Sequence, residues 1–319
     1  MTSALVIGRF RPGRKIAEAV RTTEQGLKDA GWTVEATIVQ TKGDVRRKTA
    51  KAVKAKRDVV VAVGGDGAVS QVIQSLAGSK VALGIIPMGT GNLLAGNLEI
   101  PTQIEDAITV LTTGTTRRID LGALTMGGRE SVFAVACGIG FDAEVMKETD
   151  SAEKVKIGKL AYIASAIKRQ GAVRDVKHKV TIDGATESMK ATQIMIANFG
   201  SMGSAVKARL EVEPDDGVLD VMVIEASGPL GGLLAGWEAL RQSEPGPSPE
   251  GHVFRTRAKK IRISSKTERL VETDGSLVGK TPVKVSIRPR ALTVIVPAAK
   301  ADKAAKADKA EAPATSDPS

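Results

Sequence analysis

Within this 319-residue chain, Gly64-Gly65-Asp66-Gly67 is the segment whose residue types are best suited to chemistry. Backbone N–H groups at a glycine-rich turn that opens a helix point outward and bind phosphate, and the helix dipole favours the same charge. Glycine lets the backbone approach an anion closely and adopt positive φ where the turn needs it. Gly64, Gly65 and Gly67, followed by Ala68 and Ser70, read as such a cradle. A carboxylate there would repel phosphate directly, so Asp66 suits a place beside Mg²⁺ or beside an attacking hydroxyl. The residues leave those two roles open. Taken alone, the same segment also reads as an ordinary tight turn between strand and helix.

A second loop strengthens the first reading. Pro87-Met88-Gly89-Thr90-Gly91-Asn92 follows the apolar run Val81 to Ile86 and leads into Leu93-Leu94-Ala95. The run Val59 to Val63 precedes the first loop, and Val69, Val72, Ile73 and Leu76 follow it at helical spacing. Two successive strand–loop–helix units in one parallel sheet place both loops at the carboxyl ends of their strands, the edge where open α/β sheets bind ligands. Thr90 and Asn92 there offer an uncharged hydroxyl and amide, suited to the phosphates or sugar of a nucleotide.

The remaining elements must hold those loops in place. Leu5 to Ile7 and Val34 to Val39 read as strands, and Ile16 to Ala30 and Asp44 to Lys56 as helices. A further helix carries Ile104, Ala107, Ile108 and Leu111. This alternation predicts a doubly wound parallel sheet. From about Arg118 short strands dominate: Ile119 to Leu124, Val132 to Cys137, Lys179 to Ile182, Thr192 to Ala197, Leu219 to Ile224, Lys260 to Ser264, Val283 to Ile287 and Leu292 to Val296. Helical patterns interrupt them at about Ile157 to Arg169 and at Gly228 to Gly236. The expectation is an α/β N-terminal domain over residues 1–118, a β-rich antiparallel domain over 119–297, and a disordered Ala/Lys/Asp-rich tail over 298–319.

Composition narrows the function classes. Apolar residues make up 42% and charged residues 26%, as in a globular chain with ample core. No apolar run reaches the roughly twenty residues needed to span a bilayer. Gly8-Arg9-Phe10-Arg11-Pro12 breaks the early apolar stretch and argues against a signal peptide, so a cytoplasmic location is expected. The single Cys137 excludes an internal disulfide and reads as a small core residue. The net charge of +10 falls on the folded part, because the tail's four lysines and four acids cancel. Lys42 to Arg57 and Arg255 to Arg262 are the densest basic stretches. They read either as solvated surface or as a face attracting anionic lipid or ATP. Aromatic residues are too scarce for a nucleic-acid stacking platform.

These motifs resemble, in order, those of the lipid kinases sharing the diacylglycerol kinase catalytic domain. The likeness runs through Gly64-Gly65-Asp66-Gly67-Ala68, Pro87 to Asn92, Leu98-Glu99-Ile100-Pro101, Ile119-Asp120-Leu121-Gly122 and Gly138 to Asp142. It continues through Gly158 to Tyr162, Ala197-Asn198, Asp216 to Val221 and Asp274-Gly275. The resemblance implies transfer of the γ-phosphoryl group of ATP to the hydroxyl of a diacylglycerol- or sphingosine-like lipid. It implies ATP and Mg²⁺ as cofactors, a sandwich-like second domain and peripheral association with an anionic membrane surface; a homodimer is compatible with it. Thr90, and less directly Thr41, match nucleotide-contacting threonines. Asp120 is placed near the cleft, although a hinge turn or salt bridge would equally explain it. Glu213, Asp216 and Val218 match a structural Mg²⁺ site, where a plain acidic β-turn is the other reading.

Four departures bear on activity, one being that the glycine triplet expected after Ala197-Asn198 reads Gly200-Ser201-Met202-Gly203. Many relatives carry Asp-Gly-Glu, whose Glu is the proposed base; here the motif is Asp274-Gly275-Ser276. A serine is not that base, and Asp274, Glu272 or Asp66 would have to substitute. The relatives' Asn-Asp is Asn92-Leu93, and their Asn-Pro loop near the N-terminus is replaced by a segment carrying Arg9 and Arg11. Two alternatives follow: a catalytically weak nucleotide or lipid sensor of the same fold, or a nucleotide-directed enzyme resembling NAD kinases.

Overall fold

The computed structural model describes residues 1–13, 15–140, 175–200, 212–225, 245–248 and 251–298. The helical stretches expected at 157–169 and 228–236, the motif residues 141–142, 158–162 and 201–203, and the tail beyond 298 lie outside the described residues.

The N-terminal half alternates strand and helix as its periodicity requires. In chain order it comprises β1 (Ser3–Arg9), α1 (Ile16–Asp29), β2 (Thr33–Val39), α2 (Lys42–Lys54), β3 (Val59–Gly64), α3 (Asp66–Leu76), β4 (Ala82–Pro87), α4 (Leu93–Asn97) and α5 (Ile104–Thr113). The parallel strands stand in the order β2-β1-β3-β4. Helices α1 and α5 pack together, as do α2 and α3, so the sheet is covered on both faces. All residues of β3 and β4 are buried, which explains why they read as unbroken apolar runs. Each such valine or isoleucine contributes roughly 1.5–3 kcal/mol through removal from water.

The sheet does not stop at β4. The second half begins with β5 (Thr115–Met126), β6 (Arg129–Phe133), β7 (Ala136–Gly140), β8 (Val176–Ile182), β9 (Ala185–Ala191), β10 (Gln193–Ala197) and β11 (Leu219–Ile224). It continues with the two-residue β12 (Gly246–Pro247), then β13 (Val253–Ala258), β14 (Lys260–Ser265), β15 (Leu270–Thr273), β16 (Ser276–Lys280) and β17 (Val283–Val296). Strand β17 pairs in parallel with β4 and antiparallel with β5 and β14, so ten strands form one continuous sheet. A second sheet of seven strands, β12-β13-β11-β10-β7-β15-β16, is antiparallel throughout. Apolar residues of both sheets, among them Phe133, Cys137, Ile139, Ile194, Val221, Ile261 and Val285, form the core of this half.

Some sequence expectations need correcting. The run Val132 to Cys137 is not one strand: β6 ends at Phe133 and β7 begins at Ala136, because the intervening backbone bonds to a side chain. The two strands expected at 283–287 and 292–296 are one, β17, with a register irregularity between Arg288 and Leu292. Strands β9, β12, β13, β15 and β16 are additional. The second basic stretch is only partly surface. Arg255 is buried, and its guanidinium donates to Asp220 Oδ1 at 2.6 and 2.9 Å. Removing one member of such a buried pair would leave the other charge stranded, a cost of about 3–5 kcal/mol.

Candidate active site

Both glycine loops emerge at the carboxyl edge of the parallel sheet, and they touch backbone to backbone. A Cβ on Gly65 would stand 2.8 Å from Gly89 Cα, and one on Gly89 would stand 2.6 Å from Gly65 Cα. No side chain fits between them. Gly64 is equally tight against Ala68, at 2.7 Å. Gly65 is the N-cap of α3, which places Asp66 and Gly67 at its first two positions, where backbone N–H groups have no acceptor inside the helix. The Ala68 N–H turns back to the Gly65 carbonyl at 2.8 Å.

Asp66 fastens the two loops. Its Oδ2 accepts from the Asn92 N–H at 2.9 Å and its Oδ1 from the Leu93 N–H at 2.5 Å. Burial raises its pKa above the usual carboxylate range, and those two donors partly offset the effect. The second loop is closed upon itself: Asn92, in the left-handed region at φ 48°, accepts the Gly89 N–H through Oδ1 and donates Nδ2–H to the Gly89 carbonyl. The Asn92 amide is therefore engaged within its own loop, whereas Thr90 is exposed at the loop's tip.

A second carboxylate approaches from the other half of the chain. Strands β15 and β16 form a hairpin whose turn is Asp274-Gly275, with φ of 46° and 74°. Positive φ at both central residues is the signature of a type I′ turn, for which Asp-Gly is a preferred pair. Asp274 is buried, and its carboxylate accepts the N–H groups of Ala134, Val135 and Ala136 at 2.9, 2.8 and 3.2 Å. Those three bonds separate β6 from β7. Burial, partly offset by these donors and reinforced by the charge of Asp66, raises the Asp274 pKa to about 6. Asp66 and Asp274 line one crevice of about 10 Å³ with Ser70, Leu93, Leu94 and Val135. At that size it admits a hydroxyl group but not an acyl chain. Glu272 is buried and accepts the Gly275 N–H at 2.9 Å, which supports the same hairpin.

Other candidate residues stand apart. Ser276 opens β16 opposite Thr273 and does not line the crevice. Thr41 caps α2: its hydroxyl accepts the Asp44 N–H at 3.1 Å and donates to Asp44 Oδ2 at 2.8 Å. Asp120 is buried and accepts the N–H groups of Gly217 at 2.8 Å and Arg290 at 2.6 Å, joining the acidic turn to the irregularity in β17. Burial is the main reason its pKa is raised.

In the acidic turn, Asp216 Oδ1 accepts the Val218 N–H at 3.1 Å, and Glu213 is exposed. Arg257 approaches Asp216 Oδ2 at 3.7 Å and Asp220 Oδ2 at 3.8 Å, so a side-chain cation already serves this turn. Among the described residues no three or more His, Cys, Asp or Glu side chains are grouped to hold a metal. Cys137 is buried as expected, its thiol pKa pushed up by burial and by Glu272 and Asp274.

Sequence reasoning missed the role of Leu93 as a wall of the crevice and the triple acceptance by Asp274. The Asp-Gly pair between β-prone residues was the available signal for the second.

The chain is similar to known proteins over most of its length. Residues 4–124 match the diacylglycerol kinase catalytic domain, and residues 135–296 match the YegS C-terminal NAD kinase β sandwich-like domain. A diacylglycerol kinase of Staphylococcus saprophyticus is 28% identical over 260 residues, 80% of this chain and 82% of that protein. An uncharacterised protein of Synechocystis sp. is 30% identical over 240 residues, which span 75% of this chain and only 54% of that protein. A Bacillus anthracis crystal structure, provisionally described as a diacylglycerol kinase, superposes with a TM-score of 0.77 at 25% identity, covering 93% of this chain and 96% of that one. No helix among the described residues is long and apolar enough to cross a membrane. With its two halves matched in order and the glycine loops joined at the sheet edge, the chain belongs to the diacylglycerol kinase catalytic-domain family.

Proposed function

We propose that this protein is a lipid kinase that transfers the γ-phosphoryl group of ATP to the hydroxyl of a diacylglycerol- or sphingosine-like lipid. The observation that carries the reading is the joined pair of glycine loops with Asp66 and Asp274 facing one crevice beneath them. Phosphates would lie on the free N–H groups at the start of α3, near Gly65 and Gly67, with Ser70 and Thr90 close by. Mg²⁺ accompanying ATP would neutralise charge on the transferring oxygens. Asp66 would accept the proton of the incoming hydroxyl. Its burial makes it a stronger base than a solvated aspartate.

The lipid would be met at an anionic membrane surface, with the protein otherwise cytoplasmic. The exposed lysines of α2, among them Lys42, Lys51 and Lys54, support that attraction. A homodimer is compatible with this surface use.

A second reading, a sensor that binds nucleotide or lipid with little turnover, is favoured by Leu93 and by Ser276, neither of which brings a carboxylate to the crevice. The test is transfer of labelled phosphate from Mg-ATP to mixed micelles containing diacylglycerol or sphingosine. Labelled lipid supports the kinase. ATP binding without labelled lipid from folded protein supports the sensor.

A further inference from the structure

Two arginines at the end of β1 take no part in the crevice just described, yet Arg11 reaches the start of α3 beside it. Side chains alternate between the two faces of a strand. On β1, a Cβ on Gly8 would press on Ile16 and Val20 of α1, while Leu5 lies with Ala52 and Ala55 of α2. Arg9 shares the face of Leu5 and therefore projects into the layer of α2 and α3, at the end where both helices begin. Arg11 follows, and its Nη2 lies 3.9 Å from where a Cβ on Gly67 would stand.

The two guanidinium groups have no compensating charge there. The Arg9 Nε is buried without a hydrogen-bond partner. Burial first, and the charge of Arg11 second, lower the Arg9 pKa from its ordinary value. Among the described residues no carboxylate pairs with either arginine. Asp44 is engaged by Thr41 and Arg47, and Asp66 by the Asn92 and Leu93 amides. The pair also lies between β1 and β3, where the strand order reverses, the place at which doubly wound sheets receive ligands. Like charges held together beside positive helix ends favour an anion between them.

We propose that Arg9 and Arg11 form a clamp for the polyphosphate end of a nucleotide, closing over the α3 N-terminus from the β1 side. Guanidinium groups bind phosphate oxygens in paired, charge-assisted hydrogen bonds. The clamp therefore favours a triphosphate over a monophosphate. In naming a nucleotide as the owner of the phosphates, it rests on the function proposed above.

The experiment is calorimetric titration of the full chain with AMP, ATP and inorganic tripolyphosphate, repeated for Arg11→Gln, Arg9→Lys and the surface control Lys80→Gln. Expected is a weakening of ATP and tripolyphosphate by about ten- to a hundredfold in Arg11→Gln, with AMP and the control unchanged. Arg9→Lys keeps the charge without the planar fork and should lose part of the same affinity. Unchanged ATP binding in Arg11→Gln would overturn the clamp and leave the nucleotide site standing. Binding of tripolyphosphate that depends on Arg11, with none of ATP, would keep the clamp and refute the kinase reading. No binding of any of the three by the wild type would overturn both.

Discussion

Gly65 and Gly89 meet backbone to backbone, each occupying the space in which the other's side chain would stand. That contact joins the end of β3 to the end of β4 and sets the distance between the two loops that face the candidate phosphate site. Its consequence is direct: neither position tolerates a methyl group without the loops separating. Gly65→Ala is therefore expected to lower stability by about 1–3 kcal/mol, as overpacking does elsewhere. It should weaken ATP binding more than its stability loss explains. Denaturant unfolding and ATP titration of the variant check both effects. Gly96→Ala, at a helix position with open space around it, is the matched control.

Asp274 makes stability depend on pH. Its folded-state pKa of about 6 lies above the unfolded value of roughly 3.9, so the native state holds the proton more tightly. For a raised carboxyl the stabilisation is fully present below about pH 4 and is lost as pH rises through about 6. A gap of that size amounts to something on the order of 3 kcal/mol. Urea midpoints between pH 4.5 and 7 should fall more steeply for the wild type than for Asp274→Asn. Parallel curves would show that the carboxyl is not perturbed.

Ser276 tests whether the crevice limits the chemistry. It lies outside the residues that line the site, on the far strand of the Asp274-Gly275 turn. A longer acid there adds a carboxylate on the strand that follows the Asp274-Gly275 turn. If the protein is a weak catalyst for want of a second base, Ser276→Glu should raise kcat by about 10²-fold or more with little change in KM for ATP. An unchanged kcat, with the protein folded, would mean that Asp66 already suffices.

Much of this was legible in the residues. The apolar runs before each glycine loop fixed β3 and β4 because strands buried on both faces carry no polar alternation. The pairing of Gly64-Gly65-Asp66-Gly67 with Gly89-Thr90-Gly91-Asn92 put both loops on one sheet edge. The bonding of Asp66 was hidden, since nothing in the sequence says that its oxygens accept the amides of Asn92 and Leu93. Asp274 was legible as a motif residue but not as the acceptor that interrupts Val132 to Cys137, a contact spanning some 140 residues. Arg255 read as surface charge because its partner, Asp220, lies 35 positions away on the neighbouring strand β11. Long-range partners of this kind decide burial, and local patterns do not record them.

The most direct measurement is a comparison of Asp66→Asn with wild type in two assays on the same preparation, ATP affinity and phosphate transfer to micellar lipid. The account predicts that ATP affinity falls by less than about tenfold while kcat falls by about 10²-fold or more, because the side chain both fastens the loops and receives the hydroxyl proton. A variant that transfers phosphate as fast as the wild type would contradict the central claim.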